Sequence, residues 1–167
     1  MKKMTDKNLH EAFAGESQAH MKYMNFSEQA RKDGFPNVGK LFLAVSFAEQ
    51  VHASNHLKVL GELKSTKENL EAAVGGENFE VEEMYPAYDA VAKVQDEKDA
   101  QRSIRYAVEA EKIHAKMYSD AKKSVETGKD ISIKSVHICK VCGFTHYDSA
   151  PDKCPVCGAP GTAFVEF

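Results

Sequence analysis

The sequence predicts an all-α protein, a four-helix bundle, followed by a small cysteine-rich β module at the C-terminal end. Three observations predict this class. Apolar residues recur at three- and four-residue spacing through four long segments punctuated by Gly, Pro and Asp. Two of those segments carry a Glu-x-x-His step, Glu49-Gln50-Val51-His52 and Glu111-Lys112-Ile113-His114. All four cysteines lie between residues 139 and 157, in two Cys-x-x-Cys pairs.

A chain of 167 residues is long enough to bury a real core with a small appendage. The net charge of -3, with lysines interleaved among acids, gives no electrostatic case for a nucleic-acid partner. Met1-Lys2-Lys3 starts the chain basic, but Asn8, His10, Glu11 and Glu16 break any signal-peptide segment. No apolar run approaches the roughly 20 residues that span a bilayer. The expectation is a soluble, cytoplasmic chain with no membrane partner. In a reducing compartment Cys-x-x-Cys pairs are metal ligands more readily than disulfides.

The first helix is expected from an Asp6 cap to about Lys32, stopped by Asp33-Gly34-Phe35-Pro36. Its apolar stripe reads Leu9, Phe13, Ala19, Tyr23, Phe26 and Ala30, with Glu16 inside it. The second helix runs from Pro36-Asn37 to Leu60 before Gly61. Its stripe of Val38, Leu41, Phe42, Val45, Val59 and Leu60 is interrupted in the middle by Glu49, His52 and His56. A buried carboxylate is costly unless it is paired or bound to a cation, so those interruptions call for a partner.

Ser65 or Thr66 caps the third helix, with Glu68 in its first turn. Leu70, Val74, Val81, Met84, Tyr88 and Val91 form its stripe, broken by Glu77 and Glu80, while Glu82 and Glu83 face solvent. Gly75-Gly76 and Pro86 are the positions where it would bend. The fourth helix extends from about Asp96 to Gly128 with Ile104, Ala107, Val108, Ala115, Tyr118 and Ala121 on its stripe, broken by Glu111 and His114. Short connectors between long helices argue for an antiparallel bundle. Beyond Gly128, Ile131-Ser132-Ile133 alternates as a strand would. The predicted domains are therefore 1–130 and 131–167.

The two halves of the helical region repeat one another. Glu16 precedes Glu49 by nearly the interval that separates Glu77 from Glu111, as a duplicated helix pair would. They differ at one place, because Glu80 stands three residues after Glu77 where Ala19 stands three after Glu16.

On a helix, residues three apart share a face, so each Glu-x-x-His aims a carboxylate and an imidazole together. A Glu from each of two helices plus Glu-x-x-His from each of two others is the ligand set of ferritin-like di-iron or di-manganese sites. Hard carboxylate oxygens suit two such ions, and a bridging carboxylate offsets their repulsion. Glu49 and Glu111 are best placed to bridge. His20 and His56 lie a turn from proposed ligands; either could ligate, but they are read as hydrogen-bond donors or partly exposed residues and stay outside the ligand set. Tyr23 and Tyr85 could reach ligating carboxylates, or serve only as core. His10, His137 and His146 have no evident partners.

Cys139-x-x-Cys142-Gly143 and Cys154-Pro155-Val156-Cys157-Gly158 are two knuckles that together offer four sulfurs to one ion. Zinc ribbons and one-iron sites share these ligands, and the module alone favours structural zinc. Beside a di-iron centre that must be re-reduced, a one-electron iron fits better, since zinc is redox-inert.

Taken whole, the chain resembles the rubrerythrins over nearly its full length. The resemblance rests on Ala12-Phe13-Ala14-Gly15-Glu16-Ser17, Glu49-Gln50-Val51-His52-Ala53, Gly76-Glu77-Asn78-Phe79-Glu80, Met84-Tyr85-Pro86, Glu111-Lys112-Ile113-His114 and the two knuckles. It implies a ferritin-like bundle with a non-haem di-iron site, then a rubredoxin-like domain with one iron on Cys139, Cys142, Cys154 and Cys157. By motif, one bundle iron would use Glu16, Glu49 and either Glu80 or His52, the latter after reduction. The other would use Glu77, Glu111 and His114. The Cys142 to Cys154 interval is short for a free-standing rubredoxin and suits the attached version. The implied activity is reduction of hydrogen peroxide in oxidative-stress defence, with electrons from an external reductase or rubredoxin and proton delivery helped by Tyr23 and Tyr85. A tethered module that serves a partner's site implies a homodimer or larger, with exchanged helices as one arrangement. The alternatives are a ferroxidase or oxygen reductase of the ferritin-like class, and a zinc-ribbon helical binding module without catalysis.

Overall fold

A computed structural model describes all residues, 1–167, as two compact units, Met1–Lys64 and Ser65–Phe167. The first unit is a helical hairpin of α1 (Lys3–Lys32) and α2 (Pro36–Leu60). The helices run antiparallel, since Ser27 meets Gly39, His20 meets Ser46 and His10 meets Glu62. Asp6 does not cap α1. The helix starts at Lys3, with Lys2 as its cap residue, and Asp6 sits in the first turn where its charge opposes the exposed N–H groups.

The seam of this hairpin corrects the expected apolar stripe. Its buried residues are small: Ser27 and Ala30 on α1, and Gly39, Ser46 and Ala53 on α2. The last three are spaced by seven, which keeps them on one face and lets the backbones approach closely. Gly39 is required there, because a Cβ would stand 2.9 Å from the Ser27 carbonyl oxygen. Ser27 Oγ instead donates to Gly39 O at 2.7 Å, and Ser46 Oγ donates to His20 O at 2.9 Å. The larger residues Leu41, Phe47 and Val59 stay 62–65% exposed.

The second unit opens with α3 (Thr66–Phe79), capped by Ser65 and Glu68 in a reciprocal capping box. The long third helix expected from the sequence is not continuous. A π-helical turn at Glu80–Met84 separates α3 from α4 (Tyr85–Val94). The irregularity falls after Gly75-Gly76 and just before Pro86, whose missing N–H cannot continue the helical bonding pattern. The fourth predicted helix is α5 (Lys98–Glu126).

Three short strands follow, β1 (Val136–Cys139), β2 (Thr145–Tyr147) and β3 (Phe164–Glu166), in the order β2-β1-β3 with both pairings antiparallel. Ile131-Ser132-Ile133 is not a strand. Its isoleucines line an apolar cleft of about 340 Å³ with Leu70, Met117 and Tyr118, and β1 acquires partner strands only from Val136. The module rests on α5: a Cβ on Gly143 would lie 3.7 Å from Ala110 Cβ, and Tyr106 packs against the cysteine core.

Candidate metal centres

Each unit gathers one cluster of two carboxylates and one imidazole. In the hairpin it is Glu16, Glu49 and His52, and in the second unit Glu77, Glu111 and His114; within each, the potential ligand atoms lie within 4.8 Å of one another. The helical spacing explains both. His52 Nδ1 lies 2.9 Å from Glu49 Oε2 and 3.9 Å from Glu16 Oε1. His114 Nδ1 lies 2.6 Å from Glu111 Oε2.

Electrostatics separate the members of the second cluster. Burial, then a hydrogen bond and the charge of Glu111, then the charge of Glu80, push the Glu77 carboxyl up to about 7. Glu80 is also raised, first by burial and then by Glu111, against the opposing pull of His114. It opens the π turn and stands beside the triad without joining its tight ligand group. Tyr85 is raised by burial and by Glu80, Glu111 and Glu77, so its phenol keeps its proton beside these acids. Tyr23 is packed in an aromatic group with Phe26 and Phe42 at 6.1 and 6.0 Å. Acids that share a proton when metal-free are those a cation would neutralise, so the donor set suits iron or manganese.

Four of the histidines outside the triads, His10, His20, His137 and His146, make structural contacts. His20 Nδ1 lies 2.9 Å from the Ser46 carbonyl oxygen and is part of the hairpin seam. Three histidines with no evident sequence partner acquire one in space. His10 reaches Glu62 at 2.8 Å, buried His137 pairs with Ser135 at 3.0 Å, and His146 stacks on Phe144. Thr145, which no motif singles out, lies 2.7 Å through its hydroxyl from His114 Nε2.

The four cysteine sulfurs form the third cluster. Cys139 and Cys157 sulfurs are 3.6 Å apart, and those of Cys142 and Cys154 are 3.5 Å apart, so each close pair draws one member from each knuckle. A tetrahedron with metal–sulfur bonds of about 2.3 Å has edges of about 3.8 Å, which these distances approach. Burial opposes ionisation of Cys154, but hydrogen bonds from the Cys157 and Val156 backbone and from neighbouring thiols outweigh it and bring the group down to about 7. Burial pushes Cys142 up. The cluster suits a rubredoxin-like iron site.

Helices that present paired Glu/Glu/His clusters, joined to a thiolate module, define a ferritin-like carboxylate metalloprotein with an attached one-electron centre. The chain belongs to the rubrerythrin family. The family model described as Rubrerythrin matches residues 7–122, and the one described as Rubrerythrin, rubredoxin-like domain, matches residues 137–165. The chain is 43% identical to rubrerythrin-2 of Clostridium acetobutylicum, covering 98% of this chain and 97% of that one. It is 32% identical to rubrerythrin of Nitratidesulfovibrio vulgaris, covering 96% and 92% of the two chains. A solved structure of nigerythrin in a mixed-valence state superposes with a TM-score of 0.57 at 30% identity, over 98% of this chain and 86% of that one. The family is one of redox enzymes. No helix here is long and apolar enough to cross a membrane.

Proposed function

We propose that this chain is a non-haem di-iron peroxidase that reduces hydrogen peroxide to water, with electrons relayed through the iron held by Cys139, Cys142, Cys154 and Cys157. The observation that carries the reading is the presence on one chain of two Glu/Glu/His triads and a four-cysteine cluster. A purely structural ribbon would leave the triads without a task, and a di-iron site alone would have no resident one-electron donor.

Glu16, Glu49 and His52, with Glu77, Glu111 and His114, form the ligand set, and Glu80 alternates with His52. Iron held by these residues would supply the two electrons that hydrogen peroxide needs, one per ion, and two protons complete the two waters. The protein's own part is to hold charge and protons. Glu49 and Glu111 would offer their carboxylates to both cations and so offset the repulsion between them. Tyr85 holds its proton at neutral pH, and with Tyr23 it is the proposed proton donor. Residues 1–130 act as the catalytic part and 131–167 as the relay, fed by an external reductase or rubredoxin in the cytoplasm. The working form is a homodimer or larger with exchanged helices, a reading supported by the separate triad in each compact unit.

Ligand variants test the assignment. Glu111→Ala abolishes peroxide turnover while the visible absorption of the thiolate-bound iron persists. Cys157→Ser removes that absorption and slows steady-state turnover. Full activity in Glu111→Ala would exclude its bridging role, and zinc alone at the cysteines, with no iron in the helices, would leave the non-catalytic binding module as the better reading.

A further inference from the structure

Thr145 begins β2 and is 4% exposed, placed where the first cysteine knuckle meets α5. Its hydroxyl donates to the Gly143 carbonyl at 3.0 Å and lies 2.7 Å from His114 Nε2. A threonine hydroxyl has one hydrogen. If that hydrogen goes to Gly143, the oxygen can only accept from His114, so Nε2 carries the imidazole proton. Nδ1, the nitrogen left for a metal, faces Glu111 Oε2 at 2.6 Å, a contact closed by one hydrogen between the two atoms in the metal-free chain.

Gly143 is held in turn by the knuckle. Its φ of +79° is the left-handed value that closes the turn, and its N–H donates to Cys139 O at 2.9 Å. Cys139, the carbonyl of Gly143, the hydroxyl of Thr145 and the imidazole of His114 thus form one continuous hydrogen-bonded path within the second unit. His52 has no comparable clamp. Its side chain is 54% exposed, and its ring contacts are to its own triad, Glu49 and Glu16.

We propose that Thr145 is the positioning residue for His114, fixing the orientation and the Nε2–H tautomer of the imidazole from the cysteine module, so that the second triad is fully formed only when the module is seated on α5. The inference rests on the reading of Glu77, Glu111 and His114 as metal ligands. It assigns the module a second task beside its own metal: it sets the geometry of a ligand in the other site. Partners that orient ligating histidines are worth about 10–100-fold in metal affinity.

The test uses the full chain and three variants, Thr145→Val, Thr145→Ala and Thr145→Ser. In metal-free protein, the ¹⁵N shifts of the His114 ring report the tautomer. The proposal expects the Nε2–H form in the parent and in Thr145→Ser, and a mixture of tautomers in Thr145→Val and Thr145→Ala. Cobalt(II) titration of the helical triads is then expected to be about 10–100-fold weaker in the valine and alanine variants, with rescue by serine. The cobalt–thiolate absorption of the module, unchanged in all, reports that it is folded. An unchanged tautomer in the valine and alanine variants, or a serine variant as impaired as they are, would overturn the proposal. If the parent triads take up no cobalt, the metal reading fails, and the tautomer measurement still decides the role of Thr145.

Discussion

Glu77 holds a proton that an ordinary glutamate would have lost, and the consequence can be given a sign. Its value in the folded chain is about 7 against 4.5 for the free group. Between those values the folded state binds a proton that the unfolded state has released, so stability falls as pH rises across that window. Metal-free Glu77→Gln is therefore expected to lose less stability than the parent between pH 5 and pH 8 in denaturant titrations. A cation displaces the same proton, so metal uptake strengthens with rising pH up to about 7 and releases a proton, measurable by calorimetry in buffers of different ionisation enthalpy. Glu111 and His114 were legible in the sequence because Glu-x-x-His on a helix has a fixed geometry, and Glu77 because it breaks the apolar stripe of its helix. Thr145 was not, because its contact with His114 spans 31 residues and depends on how β2 lies against α5. The asymmetry read from Glu80 and Ala19 has a counterpart in the structure: His114 meets Thr145 of the cysteine module, whereas His52 is exposed and meets only Glu49 and Glu16.

The helices are held by local features that single substitutions can reach. Gly39 lies on the seam between α1 and α2, and a Cβ there meets Arg31 Cγ at 2.8 Å and Ser27 O at 2.9 Å. The side chain of Arg31 can move aside, but the carbonyl of Ser27 cannot move without shifting α1. Gly39→Ala is expected to destabilise the protein by about 1–3 kcal/mol in chemical denaturation, despite the better helix propensity of alanine. Ser65→Ala removes one arm of the capping box of α3 and is expected to cost about 1 kcal/mol. Ser65 and Gly61 were legible as helix ends, whereas Asp6, read as a cap, lies inside α1. The π turn at Glu80–Met84 was not, since Pro86 signals only that regular bonding fails nearby, and not which carbonyls adjust. The alternation of Ile131 and Ile133 misled for a related reason: two apolar residues that fill a cleft have the same spacing as two on a strand.

At the scale of the molecule, the seven-residue spacing of small residues in α2 gives the hairpin a narrow seam and leaves Leu41, Phe47 and Val51 exposed. Periodicity placed Leu41 on an apolar stripe, without Phe47 or Val51, but not what covers it, because the same face serves a partner helix from either the same chain or another copy. Exchange of helices between copies has a distinctive genetic signature. Chains carrying Glu49→Ala and chains carrying Glu111→Ala are each inactive alone. Assembled together, they place one intact pair of triads in each mixed dimer. Random mixing then restores about a quarter of the parent activity, whereas sites built within single chains restore none.

Rapid mixing shows whether the triads and the cysteine module together reduce peroxide. Protein purified anaerobically, carrying about three irons per chain, is fully reduced and mixed separately with hydrogen peroxide and with dioxygen. Reoxidation of the thiolate iron is followed through the return of its visible absorption. The account predicts that peroxide oxidises the protein faster than dioxygen, with oxidation of the helical irons preceding return of the thiolate colour. Faster oxidation by dioxygen would contradict it and assign the chain to the oxygen-reducing members of the ferritin-like class.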